Sequence, residues 1–278
     1  MYVVTGATGN VGRTLVRLLT ASGAEVTAVS RNITEVPAGA RALRADLSEP
    51  GTLKEVFGEA EAVFLLAAGD LLTQQAKLDE IVAAASGSGR IVALSSQAVV
   101  TRPDSPYHGG LVSGFERAVK GSGARWTLLR PGGFASNAFA WAGPIRANRT
   151  LFAPFGDVGL PIIDPDDIAA VAAAAMLEPG HAGESYVLTG PEPVSPRQMA
   201  AAIGGVLGER VEFVEQTREE ARGQLLTFMP GPVADATLDI LGSPTPGERE
   251  VSPDVARVLG RSAGTFARWA ERNAAAFR

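Results

Sequence analysis

Thr5-Gly6-Ala7-Thr8-Gly9-Asn10-Val11-Gly12 is a glycine-rich turn, and its flanks decide how it folds. Ahead of it, Tyr2-Val3-Val4 is a short apolar run consistent with a buried strand. Behind it, Val11, Leu15, Leu18 and Leu19 recur at helical spacing, and Gly23 is suited to end that helix. Strand, glycine turn and helix together form a corner that can hold a phosphate. Glycines permit φ > 0 and let backbone N–H groups approach a pyrophosphate without Cβ interference. The helix N-terminus adds free donors and a favourable dipole. A turn of small residues that binds nothing is the bland alternative, and the strand–turn–helix context favours the nucleotide.

The chain has 278 residues, enough for a substantial core in one large domain or one domain plus a lobe. With 25 basic and 30 acidic residues the net charge is −5, and no block of Lys or Arg marks a nucleic-acid or anionic-membrane surface. The absence of cysteine excludes disulfides, thiol catalysis and Cys-ligated zinc. His108 and His181, the two histidines, lie far apart without ligand spacing, so no metal site is expected. The chain opens directly in a strand, which leaves no room for a signal peptide. No apolar stretch reaches the ~20 residues of a membrane helix. The alanine-rich run at 168–177 reads as a packed helix. A cytoplasmic protein with no membrane or nucleic-acid partner, as monomer or homodimer, is the expectation.

The first half alternates strand and helix patterns. Strands are expected at 25–29, 40–45, 62–67, 90–94 and 126–129, and helices at 48–57, 72–85 and 112–120. Apolar strands without polar alternation, separated by helices, are what a parallel sheet covered on both faces requires. Right-handed crossovers then bring the C-terminal strand ends to one edge, where open α/β sheets bind ligands. The second half is richer in proline. Short strands are expected at 160–163, 186–188 and 210–214. Helix starts are expected at Asp164-Pro165-Asp166-Asp167 and Ser195-Pro196, and at a capping box of Thr217 and Glu220. A last helix around 265–277 carries Phe266, Trp269 and Phe277. The expected fold is α/β, a doubly wound parallel sheet. Residues 1–150 form the nucleotide-binding domain; residues 151–278 complete the sheet and build a smaller, mostly helical lobe on the substrate side.

Gly6, Gly9 and Gly12 stand three residues apart, a looser spacing than G-x-G-x-x-G. Here the sequence resembles the short-chain dehydrogenase/reductase superfamily, more closely its atypical NmrA-like branch. The glycine motif carries the likeness, followed in order by Ala67-Ala68, Ser95-Ser96, Thr127-Leu128-Leu129-Arg130-Pro131-Gly132, Phe134, Asn137 and residues 164–169. It spans about residues 1–200 and implies a Rossmann-type core that binds NAD(P). It also implies that Gly6, Thr8, Gly9, Asn10, Val11 and Gly12 line the phosphates and that Asp46 and Leu47 border the adenine. Ala67 and Ala68 would then flank the ribose, with Ser95, Pro131, Gly132 and Phe134 near the nicotinamide.

An NAD enzyme tends to carry an acid after the second strand to hold the ribose 2′-OH. This chain has Ser30-Arg31-Asn32, and Arg31 can meet a 2′-phosphate through a charge-assisted, bidentate contact. NADP(H) is therefore expected over NAD(H), although a surface arginine with no ligand fits the same residue. Asp46 equally suits a turn ahead of Ser48.

Most members of the superfamily use a Tyr-x-x-x-Lys pair. Of Tyr2, Tyr107 and Tyr186, only Tyr107 follows the Ser95-Ser96 strand, and four residues on stands Leu111. Tyr107 and His108 remain the candidate proton donors. Glu116 matches a glutamate common at that helix position in the branch, and helix solvation or a local salt bridge explains it as well. Two kinds of chemistry fit. A reductase of a quinone-like or polycyclic aromatic acceptor needs mainly positioning of the nicotinamide, and would suit a tailoring step on a secondary metabolite. A sensor that binds NADP(H) and a protein partner needs no turnover. The aromatics Phe134, Phe139, Trp141, Phe152 and Phe155 crowd one stretch and suit an enclosed apolar ligand, with ordinary core packing as the alternative.

Overall fold

The computed structural model describes residues 1–278. In chain order its elements are β1 (Tyr2–Thr5), α1 (Gly12–Ala21), β2 (Val26–Ser30), β3 (Ala40–Arg44), α2 (Lys54–Gly58), β4 (Ala62–Leu66), α3 (Gln75–Ala85), β5 (Arg90–Leu94), α4 (Ala98–Thr101), α5 (Gly109–Gly121) and β6 (Arg125–Pro131). There follow α6 (Ala142–Asn148), β7 (Thr150–Ala153), α7 (Pro165–Leu177), β8 (Glu184–Leu188), α8 (Pro196–Leu207), β9 (Glu212–Glu215), α9 (Arg218–Leu225), α10 (Gly231–Gly242), α11 (Pro246–Arg249), α12 (Asp254–Leu259) and α13 (Phe266–Arg272). Two compact units emerge. The first comprises Met1–Pro131, Pro165–Leu188 and Arg257–Gly260; the second comprises Gly132–Asp164, Thr189–Ala256 and Arg261–Arg278.

The first unit is a seven-stranded sheet in the order β3-β2-β1-β4-β5-β6-β8, parallel throughout. The chain runs outward from β1 to β3 and then restarts on the other side of β1 with β4, so the topological switch point lies between β1 and β4. Thr5, fully buried, ties these two strands together. Its hydroxyl donates to Phe64 O (2.9 Å) and accepts from Leu66 N (2.9 Å). One face packs α2, α3 and α5 over a core of Val3, Phe57, Val63, Leu78, Ile81, Ile91, Phe115 and Leu128. On the other face α7 packs against α1, β4, β5 and β6. The buried Ala169, Ala172 and Ala175 permit that close approach, and Thr14 Oγ1 donates to Asp166 Oδ1 across it (2.7 Å). Asp166, read from sequence as a helix-start residue, thus also joins α1 to α7.

The second unit is mostly helical. It holds a two-stranded parallel ladder, β7 on β9, and a core in which Ile145, Leu151, Ile203, Phe266, Trp269 and Phe277 meet. Residues 160–163, expected as a strand, form only two isolated bridges, Phe134 to Ile163 and Leu160 to Val194. Pro161 interrupts the segment, and a proline cannot donate to a ladder. The expected helix at 72–85 starts at Gln75, after a 3₁₀ turn at Gly69–Thr73.

The start of α8 shows how local sequence sets a boundary. Ser195 Oγ accepts from Gln198 N, and Gln198 Oε1 accepts from Ser195 N (2.8 Å), a reciprocal capping box with Pro196 in the first turn. Ser195→Ala removes one arm of it and is expected to cost about 1 kcal/mol in urea unfolding, with Ser195→Gly costing only a few tenths.

Candidate functional site

The glycine corner is built so that only backbone fits. Gly6 takes a left-handed φ of +63°, which turns the chain out of β1. Gly9 N then donates to Gly6 O (3.0 Å), and Arg13 N donates to Gly9 O (3.1 Å), so the turn closes directly into α1. A Cβ on Gly12 would stand 2.2 Å from Gly6 O and 2.9 Å from Ala7 Cα. The first turn of α1 has no side-chain cap and no acidic residue. No side chain of the helix itself therefore caps its N-terminal donors, and the Asp166 carboxylate of α7 reaches this turn through the Thr14 hydroxyl. Such a cradle fits a dinucleotide pyrophosphate.

The residues expected to line the cofactor in the first unit all follow the C-terminal ends of its strands. The glycine turn follows β1, Arg31 follows β2, Asp46 and Leu47 follow β3, and Ala67 and Ala68 follow β4. Ser95 follows β5, and Pro131 ends β6. Because the strands are parallel, these ends share one edge of the sheet. The Thr8 and Ser30 hydroxyls lie 2.9 Å apart and join the turn to the end of β2. Asp46 Oδ1 accepts from Ser48 N (2.9 Å), and that hydrogen bond, above all, holds its carboxyl below the usual range. The turn role weighed for Asp46 is therefore present. Leu47 is half-buried against the core, Ala67 is buried and Ala68 is exposed.

Ser95 sits in a buried polar network. Its hydroxyl donates to Glu116 Oε1 (2.6 Å), while Arg130 grips the same carboxylate through Nε (2.8 Å) and Nη2 (2.6 Å). Lys120 Nζ approaches it at 3.4 Å. Glu116 is only 2% exposed, so helix solvation, one of the roles read from sequence, is overturned: α5 turns this carboxylate inward. Burial pushes its pKa up, but hydrogen bonds from Arg130 and Ser95 and the charges of Arg130 and Lys120 outweigh that and leave it lowered. Tyr107 is exposed in the loop before α5, His108 beside it is half-buried, and Leu111 lies on α5.

Gly132, Phe134 and the aromatic stretch belong to the second unit. Its aromatic rings part company there. Phe139 meets Trp269 at 5.0 Å and Phe277 at 6.2 Å, and Trp141 packs on the same core. Phe155, at φ +56°, lays its ring against Gly242 of α10. Phe152, on β7, lines a shallow groove of about 490 Å³ with Val214, Gln216 and Gln224.

A family model described as NAD(P)H-binding matches residues 6–179, the segment that contains the glycine corner and most of the strand ends above. The chain belongs to the NAD(P)H-binding family. This NAD(P)H-binding protein is 34% identical over 281 residues to the (4-alkanoyl-5-oxo-2,5-dihydrofuran-3-yl)methyl phosphate reductase of Streptomyces griseus subsp. griseus, covering 100% of this chain and 99% of the relative. It is 33% identical over 285 residues to the NAD(P)H azoreductase of Xenophilus azovorans, again covering 100% and 99%. Among solved structures, the NADPH complex of the Escherichia coli NADPH-dependent quinone oxidoreductase QOR2 superposes with a TM-score of 0.80 at 23% identity, covering 98% of this chain and 99% of that one. The likeness to the atypical, NmrA-like branch of the short-chain dehydrogenase/reductase superfamily holds in the fold. No helix of this NAD(P)H-binding protein is long and apolar enough to cross a membrane.

Proposed function

We propose that the chain is a cytoplasmic, NADPH-dependent reductase of a small conjugated acceptor, a quinone-like, azo or unsaturated carbonyl compound. The observation that carries this is the full-length likeness to two reductases, in a chain whose glycine corner has no room for a Cβ at Gly12. The substrates in those two names share an electron-poor π bond, N=N in one and a ring alkene conjugated to carbonyls in the other. When bound, the nicotinamide supplies a hydride to such a bond, with a proton completing the reduction.

The chain's own residues bind and orient. Gly6 to Gly12 hold the pyrophosphate, Arg31 the 2′-phosphate, Asp46 and Leu47 the adenine side, and Ala67 and Ala68 the ribose. Ser95 and Pro131 border the nicotinamide. Ser95 commits its one proton to Glu116, so its oxygen acts toward a ligand as an acceptor. Four residues after Tyr107 stands Leu111, not a lysine, and Tyr107 is exposed in its loop. The completing proton therefore comes from solvent, which suffices for an acceptor that readily takes a hydride.

The test is loss of NADPH absorbance with a panel of quinones, azo dyes and unsaturated lactones. Steady oxidation is expected with at least one class. Tight NADPH binding without turnover on any of them would instead make the protein a cofactor-binding regulator acting through a protein partner.

A further inference from the structure

We infer that Arg44, with Arg13, completes the subsite that selects NADPH over NADH. The inference rests on the proposed 2′-phosphate role of Arg31 and extends it to residues on two other elements. Arg44 is the last residue of β3 and pairs in register with Ser30. Register partners on adjacent strands project to one face, and successive residues alternate faces. Val29 and Leu43 pack toward the core under α2 and α3, so Ser30 and Arg44 project to the opposite face. That face carries the glycine turn, because Ser30 Oγ lies 2.9 Å from Thr8 Oγ1.

Two further arginines are tied to the backbone of this corner. Arg44 Nε donates to the backbone carbonyl of Arg31 (3.1 Å), which plants its fork beside the end of β2. From α1, Arg13 Nη2 donates to the carbonyl of Thr8 (3.3 Å). Both arginines spend these hydrogen bonds on backbone carbonyls, leaving their charge without a carboxylate partner. Asp46 is a charged neighbour of Arg31, and its Oδ1 is engaged by Ser48 N. Arg31 adjoins Ser30, and Arg13 and Arg44 are bound to the carbonyls of Thr8 and Arg31, so three arginines are tied to the glycine turn and the end of β2. The ligand chemistry that answers them is a phosphate dianion on a ribose held by the neighbouring turn. Planar guanidinium forks suit its oxygens, and the Thr8 and Ser30 hydroxyls lie at the same corner.

The experiment titrates wild type, Arg44→Leu and Arg44→Gln with NADPH, NADH and 2′,5′-ADP, followed by fluorescence or calorimetry. Both variants are expected to bind NADPH and 2′,5′-ADP about tenfold more weakly, as befits loss of one charge-assisted contact at an exposed site, while NADH affinity stays put. Arg44→Lys is expected to restore only part, because an ammonium lacks the bidentate fork. Raising the salt concentration is expected to narrow the wild-type preference, and to narrow that of Arg44→Leu less steeply. If wild type prefers NADPH and both variants keep the full preference, Arg44 has no part in selection and the inference is wrong, with Arg31 still standing. If wild type binds NADPH and NADH equally, the 2′-phosphate subsite itself is overturned.

Discussion

Gly12→Ala is expected to weaken NADPH binding at least about 100-fold, the equivalent of one to two charge-assisted hydrogen bonds. It is also expected to destabilise the protein by about 1–3 kcal/mol, the range for forcing an extra methyl into a packed site. The new Cβ would sit 2.2 Å from Gly6 O, 2.8 Å from Gly6 C and 2.9 Å from Ala7 Cα. All three are backbone atoms, so no rotamer change relieves the clash and the turn must open. Opening it swings the N–H groups at the start of α1 away from where a pyrophosphate would lie. Other glycines supply the contrast. At Gly6 the nearest obstacle is the end of the Leu66 side chain (Cδ2, 2.6 Å), so Gly6→Ala is governed by its left-handed φ rather than by contact. Gly23 has φ +83° with nothing within 4 Å, so Gly23→Ala costs about 1 kcal/mol of strain and leaves NADPH affinity alone. Fluorescence titration with urea unfolding separates these effects. Undiminished NADPH affinity in a folded Gly12→Ala protein would mean that the cofactor phosphates lie elsewhere.

The parallel sheet was legible in sequence because its central strands are near-continuous apolar runs. Residues 62–67 and 90–94 allow no other packing than burial on both faces, and the glycine turn names the strand that precedes it. The Thr217–Glu220 capping box was legible for a similar reason: both partners lie within four residues. Thr245 and Glu248 form the same capping box at the start of α11, where Pro244 and Pro246 on either side of Thr245 mask the signal. What escaped is what depends on distant partners. β7 is four residues of no clear period, and its ladder mate β9 begins 62 residues after it starts. Phe139, Phe152 and Phe155 crowd together in sequence but face different neighbours, since density along the chain says nothing of direction. Arg44 reads as an ordinary charge on an edge strand until its register with Ser30 places it. Glu116 is separated from Ser95 by 21 residues and from Arg130 by 14, so only folding shows that the three share one buried site.

That network carries the second large effect. Glu116→Ala is expected to destabilise the protein by about 3–5 kcal/mol at neutral pH, because it strands a guanidinium that is only 13% exposed and deprives the Ser95 hydroxyl of its acceptor. Lys120, at the exposed end of the cluster, contributes little. Removing both charges at once is a different matter. Glu116→Leu combined with Arg130→Leu leaves no buried charge unpaired, and is expected to be clearly more stable than Glu116→Ala alone. The pH dependence has a definite sign. The carboxyl's folded pKa lies below its ordinary value of 4.5, so the folded state favours the ionised form. Its stabilisation is complete above that ordinary value and drains away as pH falls through the lowered one. The stability gap between wild type and Glu116→Ala should accordingly be widest near neutrality and shrink below about pH 4. Urea unfolding of the three proteins across that range is the measurement. A gap under about 1 kcal/mol at neutral pH, typical of an exposed pair, would show that Arg130 and Ser95 find other partners. A gap that widened in acid would mean that Glu116 is protonated in the folded protein, and Ser95 could then turn its own proton toward a ligand.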